Sequence, residues 1–382
     1  MSKKKLLFLV NVDWFFISHR LPIAVAASKS GFEVHIAASM TGQENILREA
    51  GFIFHDIPIS RGSGGPLSFF KTMREIIKLF RAVKPDLVHL ITIKPILLGG
   101  IAARVVGING VIAAISGLGY VFINKGLIAS IRRWAVKVLY KISLGHKNLR
   151  VICQNLTDLN YIQKTTSLPN RSFTVIDGSG VSLQKFQYTV DTNIIPKVMM
   201  ASRVLKDKGV LEFVEAAKII QNSGIQADFI LVGSPDPGNP TSIPIAQIQD
   251  WVKRGILEFW GHQEDMNQIL GQASIIALPS YREGFPKVLI EAAAIGRPVV
   301  TTDVAGCRDA IYNGITGVLV PPKDSNSLAE EIKKLIDSPE TCHKMGIEGR
   351  KMAEERFDEK ITIERHLSIY DQILLGERNN GF

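Results

Sequence analysis

Short apolar segments rich in β-branched residues alternate with longer amphipathic segments along most of the chain. Apolar runs of this length are typical of strands buried on both faces, and the amphipathic runs are typical of helices that cover a sheet. The alternation therefore predicts parallel sheets with helices on both sides. In the first half, the predicted strands are 6–11, 33–38, 53–57, 87–91, 111–115, 151–153 and 174–176, and the clearest predicted helices are 22–30, 69–83 and 96–106.

The alternation is lost around residues 187–193 and then resumes. The predicted strands of the second half are 197–201, 228–232, 257–260, 275–278, 299–301 and 318–320, and the closing helices are 327–336, 340–356 and 359–375. We therefore expect an α/β protein with two Rossmann-like, doubly wound domains, one at 1–182 and one at 196–358, joined by a linker at 183–195.

The composition fits two globular domains in a reducing compartment. A chain of 382 residues that is 46% hydrophobic can build two cores, so intrinsic disorder is not expected. The three cysteines, Cys153, Cys307 and Cys342, show no paired metal-ligand spacing and cannot all form internal disulfides, which favours a reducing cytoplasm. The apolar run 6–10 is too short for a secretory signal, and no uncharged apolar run reaches the roughly 18 residues of a membrane-spanning helix.

The net positive charge comes from the first half of the chain. Residues 1–180 contain 23 Lys+Arg and 9 Asp+Glu, a net charge of +14, whereas the remainder carries −5. This asymmetry indicates an anionic partner for the first domain. The candidates are a phospholipid membrane, a polyprenyl-diphosphate acceptor and nucleic acid, and a merely solvated basic face is the alternative.

Residues 126–142 form the clearest amphipathic pattern. The apolar positions with a 3.6-residue period are Leu127, Ile128, Ile131, Trp134, Ala135, Val138, Leu139 and Ile142. Arg133, Lys137 and Lys141 form a second, basic stripe. Two interpretations remain open: a core-packed helix with a solvated basic face, or a helix that lies on an anionic membrane surface.

Two glutamates flank a predicted strand-loop-helix junction. The apolar strand that ends at Leu278 leads through a loop containing Glu283 to a helix that starts near Pro286 and contains Glu291. The backbone N–H groups at the start of a helix can form a binding site for a diphosphate. Carboxylates on both sides of such a diphosphate site suit a nucleotide diphospho-sugar, which has hydroxyl groups at both ends. The alternative is that the two glutamates are ordinary helix-surface residues.

Two cations follow the first strand of the second half. Arg203 and Lys208 are expected at the carboxyl edge of the parallel sheet, where such folds bind ligands. There they could hold a diphosphate and stabilise the charge that develops as it leaves. The alternative is a surface salt bridge between Lys208 and Asp207. Because the sequence contains no Asp-x-Asp, we expect no metal site, with protein cations in its place.

The segment from Glu283 to Glu291 resembles the signature of the retaining glycosyltransferases of family 4, which have the GT-B fold. The similarity extends to residues 201–209, 306–310 and 314–322, so it covers nearly the whole C-terminal half with all motifs in order. Residues 11–22 are similar, more specifically, to the branch that builds capsular and O-antigen polysaccharides.

This resemblance implies the roles of the donor-site residues. Glu283 would bind hydroxyls of the donor sugar rather than act as the nucleophile of a double displacement, the alternative known from glycosidases. Glu291 would accept both ribose hydroxyls. Gly284 and Phe285 would offer backbone N–H groups, and the donor segment continues through Pro286, which has no N–H, and Lys287. The resemblance also implies that the two domains face across a cleft and that a C-terminal helix, 359–382, crosses back to the first domain.

The histidines are less informative. His19 and Arg20 follow the first strand at a possible helix start, where many family members carry a glycine-rich loop that this chain lacks. His19 could orient the acceptor or a phosphate, or it could cap or pack the helix. Ser116 stands where relatives often have a histidine, so no catalytic histidine is assigned. His262 follows the predicted strand 257–260. Two interpretations remain open: it borders the nucleotide base, or it is an ordinary loop residue.

We therefore expect a retaining glycosyltransferase at the inner face of the cytoplasmic membrane. It would move a hexose or N-acetylhexosamine from a nucleotide diphospho-sugar, with UDP favoured, to a polyprenyl-diphosphate-linked saccharide in surface glycan synthesis. No cofactor is expected. The alternatives are a UDP-sugar 2-epimerase of the same fold and a basic nucleic-acid-binding module, although no nucleic-acid-binding motif is present. A dehydrogenase is disfavoured because the first strand lacks a Gly-x-Gly-x-x-Gly turn.

Overall fold

A computed structural model describes residues 3–59, 66–117 and 127–375, without the side chains of 66 and 127–133. The chain divides into two compact units, Met1–Ser179 with Lys360–Phe382, and Gly180–Glu359. Residues 376–382 of the predicted C-terminal segment lie outside the described ranges.

The first unit contains a seven-stranded parallel sheet with the order β3-β2-β1-β4-β5-β6-β7. Its strands are β1 (Lys5–Val12), β2 (Glu33–Ser39), β3 (Ile53–Asp56), β4 (Leu87–Ile91), β5 (Gly110–Ile115), β6 (Leu149–Cys153) and β7 (Phe173–Val175). Its helices between these strands are α1 (Asp13–Lys29), α2 (Glu44–Glu49), α3 (Pro66–Val83), α4 (Ile93–Val106), α5 (Leu127–Ser143) and α6 (Leu156–Thr166).

The central strands of this sheet are buried on both faces, which explains their unbroken apolar runs. One face carries α1 and α2, with Phe16, Ile23 and Leu47 in the core. The opposite face carries α3 to α6, with Phe80 and Tyr140 among the buried residues.

The second unit contains a six-stranded parallel sheet with the order β10-β9-β8-β11-β12-β13. Its strands are β8 (Lys197–Ala201), β9 (Asp228–Val232), β10 (Glu258–Gly261), β11 (Ile275–Leu278), β12 (Val299–Thr302) and β13 (Gly317–Val320). Its helices are α7 (Val210–Asn222), α8 (Ile245–Lys253), α9 (Met266–Gly271), α10 (Lys287–Ile295), α11 (Ser325–Ile336) and α12 (Pro339–Met352). Both sheets have the strand order of doubly wound α/β folds, so the predicted fold class is confirmed.

Part of the stretch predicted as a linker packs against the second unit. The buried guanidinium of Arg297 donates hydrogen bonds to the Thr189 carbonyl at 2.5 Å and to the Thr189 hydroxyl at 2.9 Å. The side-chain amide of Asn193 donates to the Gln272 carbonyl at 2.9 Å. These bonds satisfy buried polar groups on both sides, so residues 189–193 are an ordered part of this unit.

The last helix, α13 (Glu359–Leu375), returns to the first unit. Ile369 and Ile373 join the core on the α1 face of the first sheet. The hydroxyl of Tyr370 lies 2.8 Å from Nδ1 of the buried His89. Within the described ranges, no helix combines the length and the apolar character needed to cross a membrane.

Candidate functional site

The second sheet has a switch point between β8 and β11. These strands are neighbours, and the chain leaves them toward opposite edges of the sheet. In open parallel sheets, ligands bind in the crevice outside the carboxyl ends of two such strands. The loops that follow Ala201 and Leu278 therefore define the site.

The loop after β8 brings Lys208 close to the loop after β11. A short 3₁₀ turn, Lys206–Lys208, ends at Gly209, which has a φ of +81°. A β-carbon at Gly209 would overlap the backbone of Pro279, so only glycine allows the two loops to approach this closely.

The loop after β11 is held by its neighbours at several points. The Ser280 carbonyl accepts a hydrogen bond from the Thr302 hydroxyl at the end of β12. The Tyr281 N–H donates to the Asp207 carbonyl at 2.9 Å, and its hydroxyl donates to Glu212 at 2.6 Å. These contacts hold the backbone in place between the neighbouring loops.

Lys208 and Glu283 form an ion pair in this crevice. The ammonium nitrogen of Lys208 lies 2.5 Å from Oε1 of Glu283, and the side chains are 20% and 9% exposed. The hydroxyl of Ser280 donates to the same carboxylate oxygen at 2.7 Å. The alternative that Lys208 pairs with Asp207 is therefore wrong, because Asp207 instead accepts a hydrogen bond from Thr241.

The loop after β12 supports the backbone beside Glu283. Gly306 has a φ of +82°, and a β-carbon there would overlap the carbonyl groups of Glu283 and Gly284. The adjacent Cys307 is buried, and burial together with the charge of Glu283 raises the pKa of its thiol to about 12. This thiol is therefore protonated at neutral pH and is not a nucleophile there.

Helix α10 begins beside this ion pair. Pro286 precedes its first residue, Lys287, with φ −74° and ψ 120°, so the predicted helix start is confirmed within one residue. Gly284, Phe285 and Pro286 are all buried. The first N–H groups of a helix have no partner within the helix and can bind a phosphate oxygen.

Glu291 lies one turn into the same helix and is only 5% exposed. Its Oε1 lies 3.4 Å from the ammonium nitrogen of Lys287. Burial raises the pKa of Glu291, and the charge of Lys287 partly opposes this rise. Neither Glu283 nor Glu291 is an ordinary helix-surface residue, so that alternative is wrong.

Arg203 lies at the same sheet edge but contacts a different carboxylate. Its Nη1 is 2.9 Å from Oδ2 of Asp236, in the loop after β9. That loop pairs with the loop after β8, because the Val204 N–H donates to the Ser234 carbonyl at 2.9 Å. Sequence reasoning missed Asp236, although an aspartate four residues after β9 was the signal available.

His262 follows β10 at the outer edge of the second sheet and is exposed. Strand β9 separates β10 from β8, so His262 is not brought to the Lys208–Glu283 pair. The Gly233 N–H donates to the Gly261 carbonyl at 2.7 Å and joins the loops after β9 and β10.

His19 lies in the first unit, and the predicted helix start there is wrong. Helix α1 already begins at Asp13, so His19 lies in its second turn, with its ring stacked on Phe15 at 4.2 Å. Sequence reasoning took Pro22 as a helix start, but this proline lies inside the helix. Nearby, Arg20 is buried and donates to the Ser116 hydroxyl at 3.5 Å.

Asp13 occupies the N-terminus of α1, where many relatives have a glycine-rich loop. Its carboxylate accepts hydrogen bonds from the N–H groups of Trp14, Thr41 and Gln43 and from the Thr41 hydroxyl. Burial alone would raise the pKa of Asp13, but these hydrogen bonds lower it overall. The start of α1 is therefore already neutralised by a side chain of the protein.

The described part of α5 exposes an apolar strip beside basic residues. Trp134, Val138 and Ile142 are 67%, 36% and 43% exposed, and Lys137 and Lys141 are exposed as well. On the other side of the helix, Tyr140 is buried in the core and Leu139 packs against it. The side chain of Arg133 and those of the apolar positions from Leu127 to Ile131 lie outside the described part.

Two family models match consecutive parts of the chain. "Glycosyl transferase 4-like" matches residues 5–155, and "Glycosyl transferases group 1" matches residues 195–338. Among the described residues, no group of three or more His, Cys, Asp or Glu is placed to hold a metal ion.

Curated relatives match over most of their length. N,N'-diacetylbacillosaminyl-diphospho-undecaprenol alpha-1,3-N-acetylgalactosaminyltransferase of Campylobacter jejuni is 28% identical over 96% of this chain and 98% of its own. The capsular polysaccharide biosynthesis glycosyltransferase CapM of Staphylococcus aureus is 29% identical over 98% of both chains. UDP-Gal:alpha-D-GlcNAc-diphosphoundecaprenol alpha-1,3-galactosyltransferase of Escherichia coli is 27% identical over 71% of this chain and 72% of its own.

Solved structures share the fold. Sucrose-phosphate synthase from Thermosynechococcus elongatus superposes with a TM-score of 0.82 at 19% identity, over 98% of this chain and 100% of that one. HepE of Anabaena in complex with UDP-glucose gives a TM-score of 0.73 at 17% identity, over 95% of this chain and 98% of that one. At such identities the likeness establishes the fold, which is GT-B.

Proposed function

This chain belongs to the family 4 glycosyltransferases with the GT-B fold, and we propose that it transfers a sugar to a lipid-linked saccharide with retention of configuration. The donor is a UDP-linked hexose or N-acetylhexosamine, and the acceptor is a saccharide on a polyprenyl diphosphate. The Campylobacter and Escherichia relatives, whose names give undecaprenol-diphosphate-linked sugars as their acceptors, support this acceptor class. The enzyme works at the cytoplasmic face of the membrane.

The contact between Lys208 and Glu283 is the observation that carries this proposal. It places a cation and a carboxylate 2.5 Å apart at the switch point, beside the start of α10. The first N–H groups of the helix and the ammonium of Lys208 bind the donor diphosphate. As the sugar leaves, negative charge grows on the phosphate oxygen, and these fixed positive groups stabilise it.

In the proposed reaction, an acceptor hydroxyl attacks the anomeric carbon on the face from which the diphosphate departs. The bond between that carbon and the phosphate oxygen breaks, and the bond to the acceptor oxygen forms. The acceptor's proton passes to the released phosphate oxygen. Glu283 binds sugar hydroxyls, and its charge stabilises the oxocarbenium-like centre.

Three further residues, Glu291, Arg203 and His262, complete the donor site, and His19 serves the acceptor. Glu291 accepts the ribose hydroxyls, with Lys287 one turn away on the same helix. Arg203 is 44% exposed and reaches the diphosphate by exchanging Asp236 for a phosphate oxygen. His262 borders the base, and His19 serves the acceptor in the first unit.

The first unit makes the membrane contact in this proposal. Helix α5 presents Trp134 and Val138 to solvent next to Lys137 and Lys141. An exposed aromatic and aliphatic strip with adjacent lysines suits an anionic lipid surface better than open solvent. The net charge of +14 on residues 1–180 is positive, as are these lysines, and is therefore attracted to an anionic surface.

A two-step assay tests the proposal. Sugar nucleotides are first screened by thermal shift, since a ligand at a hundredfold excess over its Kd raises the free energy of unfolding by about 2.7 kcal/mol. Stabilising donors are then incubated with short polyprenyl-diphosphate saccharides, and the products are analysed by NMR for the anomeric configuration. A new α-linked product from an α-linked donor is expected. Epimerised UDP-sugar without transfer would favour the epimerase, and DNA binding without sugar-nucleotide binding would favour the nucleic-acid module.

A further inference from the structure

Ser280 carries a hydroxyl that the proposed reaction does not use. Its side chain is fully buried, and its Oγ donates to Oε1 of Glu283 at 2.7 Å, the oxygen that Lys208 also binds at 2.5 Å. We propose that Ser280 is a positioning residue that fixes the carboxylate plane of Glu283 and reserves Oε2 for the donor sugar. This inference rests on the proposed role of Glu283.

Two donors on one oxygen restrain a group that otherwise rotates easily. The terminal torsion of a glutamate is broad, so a carboxylate held at one point can turn about it. Lys208 is a weak restraint by itself, because its ammonium sits on a flexible four-carbon stem. Ser280 has a single side-chain torsion and is enclosed on all sides, so its hydroxyl supplies the rigid second point.

The backbone around Ser280 is held without this hydroxyl. The Ser280 carbonyl is bound by the Thr302 hydroxyl, and the Tyr281 N–H is bound by the Asp207 carbonyl at 2.9 Å. The Tyr281 hydroxyl adds a bond to Glu212 at 2.6 Å. The Ser280 Oγ also lies 3.5 Å from the Lys208 carbonyl oxygen, a much longer contact than its 2.7 Å bond to Glu283. Removing the hydroxyl therefore leaves the loop in place, and its main effect is on the Glu283 carboxylate.

The variant Ser280→Ala tests the role, with Thr301→Val as the matched control. Thr301 is also fully buried, and its hydroxyl donates to the Leu278 carbonyl at 2.7 Å rather than to Glu283. For Ser280→Ala we expect kcat to fall about 10- to 100-fold, because a misplaced reacting group costs rate. The Kd for UDP, which has no sugar to contact Glu283, is expected to change by less than about twofold in both variants.

Two results would overturn the inference. One is a kcat for Ser280→Ala within about twofold of the Thr301→Val value. The other is a crystal structure of Ser280→Ala with UDP in which the Glu283 carboxylate keeps its orientation, whereas rotation or two orientations are expected. The crystal readout does not depend on turnover. If no sugar nucleotide is transferred at all, the proposed function fails, while the orientation of Glu283 still decides the role of Ser280.

Discussion

Lys208 and Glu283 are 75 residues apart in the sequence, yet the ammonium nitrogen of one lies 2.5 Å from a carboxylate oxygen of the other. Each follows a strand that neighbours the switch point of the second sheet. Because both side chains are largely shielded, their attraction is stronger than that of a surface pair. In the proposed reaction, the donor diphosphate would therefore enter a site whose charges are already paired, and Lys208 would turn toward it while Ser280 keeps Glu283 in place.

Removing either charge should abolish most of the activity and leave the fold intact. For Glu283→Gln and Lys208→Ala we expect turnover to fall about 10²- to 10³-fold, since each variant removes one preorganised charge near the reacting groups. Circular dichroism and thermal unfolding check the fold. Near-normal turnover would remove that residue from the catalytic set, and a covalent glycosyl adduct on Glu283 would contradict the same-face reaction.

Activity should persist in EDTA. The sequence lacks Asp-x-Asp, and in the proposed reaction Arg203 and Lys208 neutralise the leaving diphosphate without a metal ion. The measurement is the initial rate of sugar transfer before and after exhaustive chelation. A rate that vanishes with EDTA and returns on adding Mg²⁺ or Mn²⁺ would show that this assignment is wrong.

Reversing charges on α5 should weaken membrane binding without affecting the donor site. Each basic residue near an anionic surface contributes about 1 kcal/mol, so the double variant Lys137→Glu/Lys141→Glu should bind anionic liposomes at least about 30-fold more weakly. The matched control, Lys344→Glu/Lys351→Glu, reverses two exposed lysines of the second unit. Salt should weaken the wild type as well. Equal sedimentation of both variants with liposomes would place the membrane contact elsewhere.

Acid should destabilise the first unit through two buried histidines. Burial and the charge of Arg20 lower the pKa of His366 to about 3, and burial together with the charges of His366 and Arg20 holds the pKa of His89 well below its usual value. Both imidazole rings are neutral in the folded protein, whereas in the unfolded chain they become protonated below a pKa of about 6.5. The free energy of unfolding therefore keeps its full value above that pH and falls as the pH drops below it. At pH 5 the loss from His366 alone is about 2 kcal/mol, and His89 adds to it in the same direction.

Thermal unfolding at pH 7.5 and pH 5 checks this expectation. His366→Leu should lose less stability between the two pH values than the wild type, because it removes one of the two protonation sites. His343→Leu is the control, since that histidine is exposed and should leave the pH dependence unchanged. If wild type and His366→Leu lose the same stability, the buried histidines do not govern the acid response.

The sequence predicted the fold and the chemical class of the site because both depend on local features. Apolar runs and amphipathic runs identify strands and helices by their own periodicity. The motif from Glu283 to Glu291 places one carboxylate before a helix and one inside it, whatever surrounds them. These local features were enough to predict a glycosyltransferase of the GT-B fold, which the family models and the superposed structures confirm.

Sequence reasoning failed where a single residue had to be placed. The predicted helix start at Pro22 is wrong, because the helix already begins at Asp13. The buried carboxylate of Asp13 accepts the N–H of Trp14 inside the helix and those of Thr41 and Gln43 after β2, a long-range contact that periodicity does not reveal. A proline is tolerated inside a helix when packing holds the rest of it, and periodicity does not reveal this.

Only the tertiary structure decided which charges meet. Lys208 could pair with Asp207 next to it, and nothing local distinguishes that partner from Glu283. The strand order does, because it makes β8 and β11 neighbours and brings the loops after them into contact. For the same reason Arg203 meets Asp236 and Ser280 meets Glu283. Contacts between loops depend on how distant strands pair, and pairing is fixed by the burial of the whole sheet rather than by any one segment.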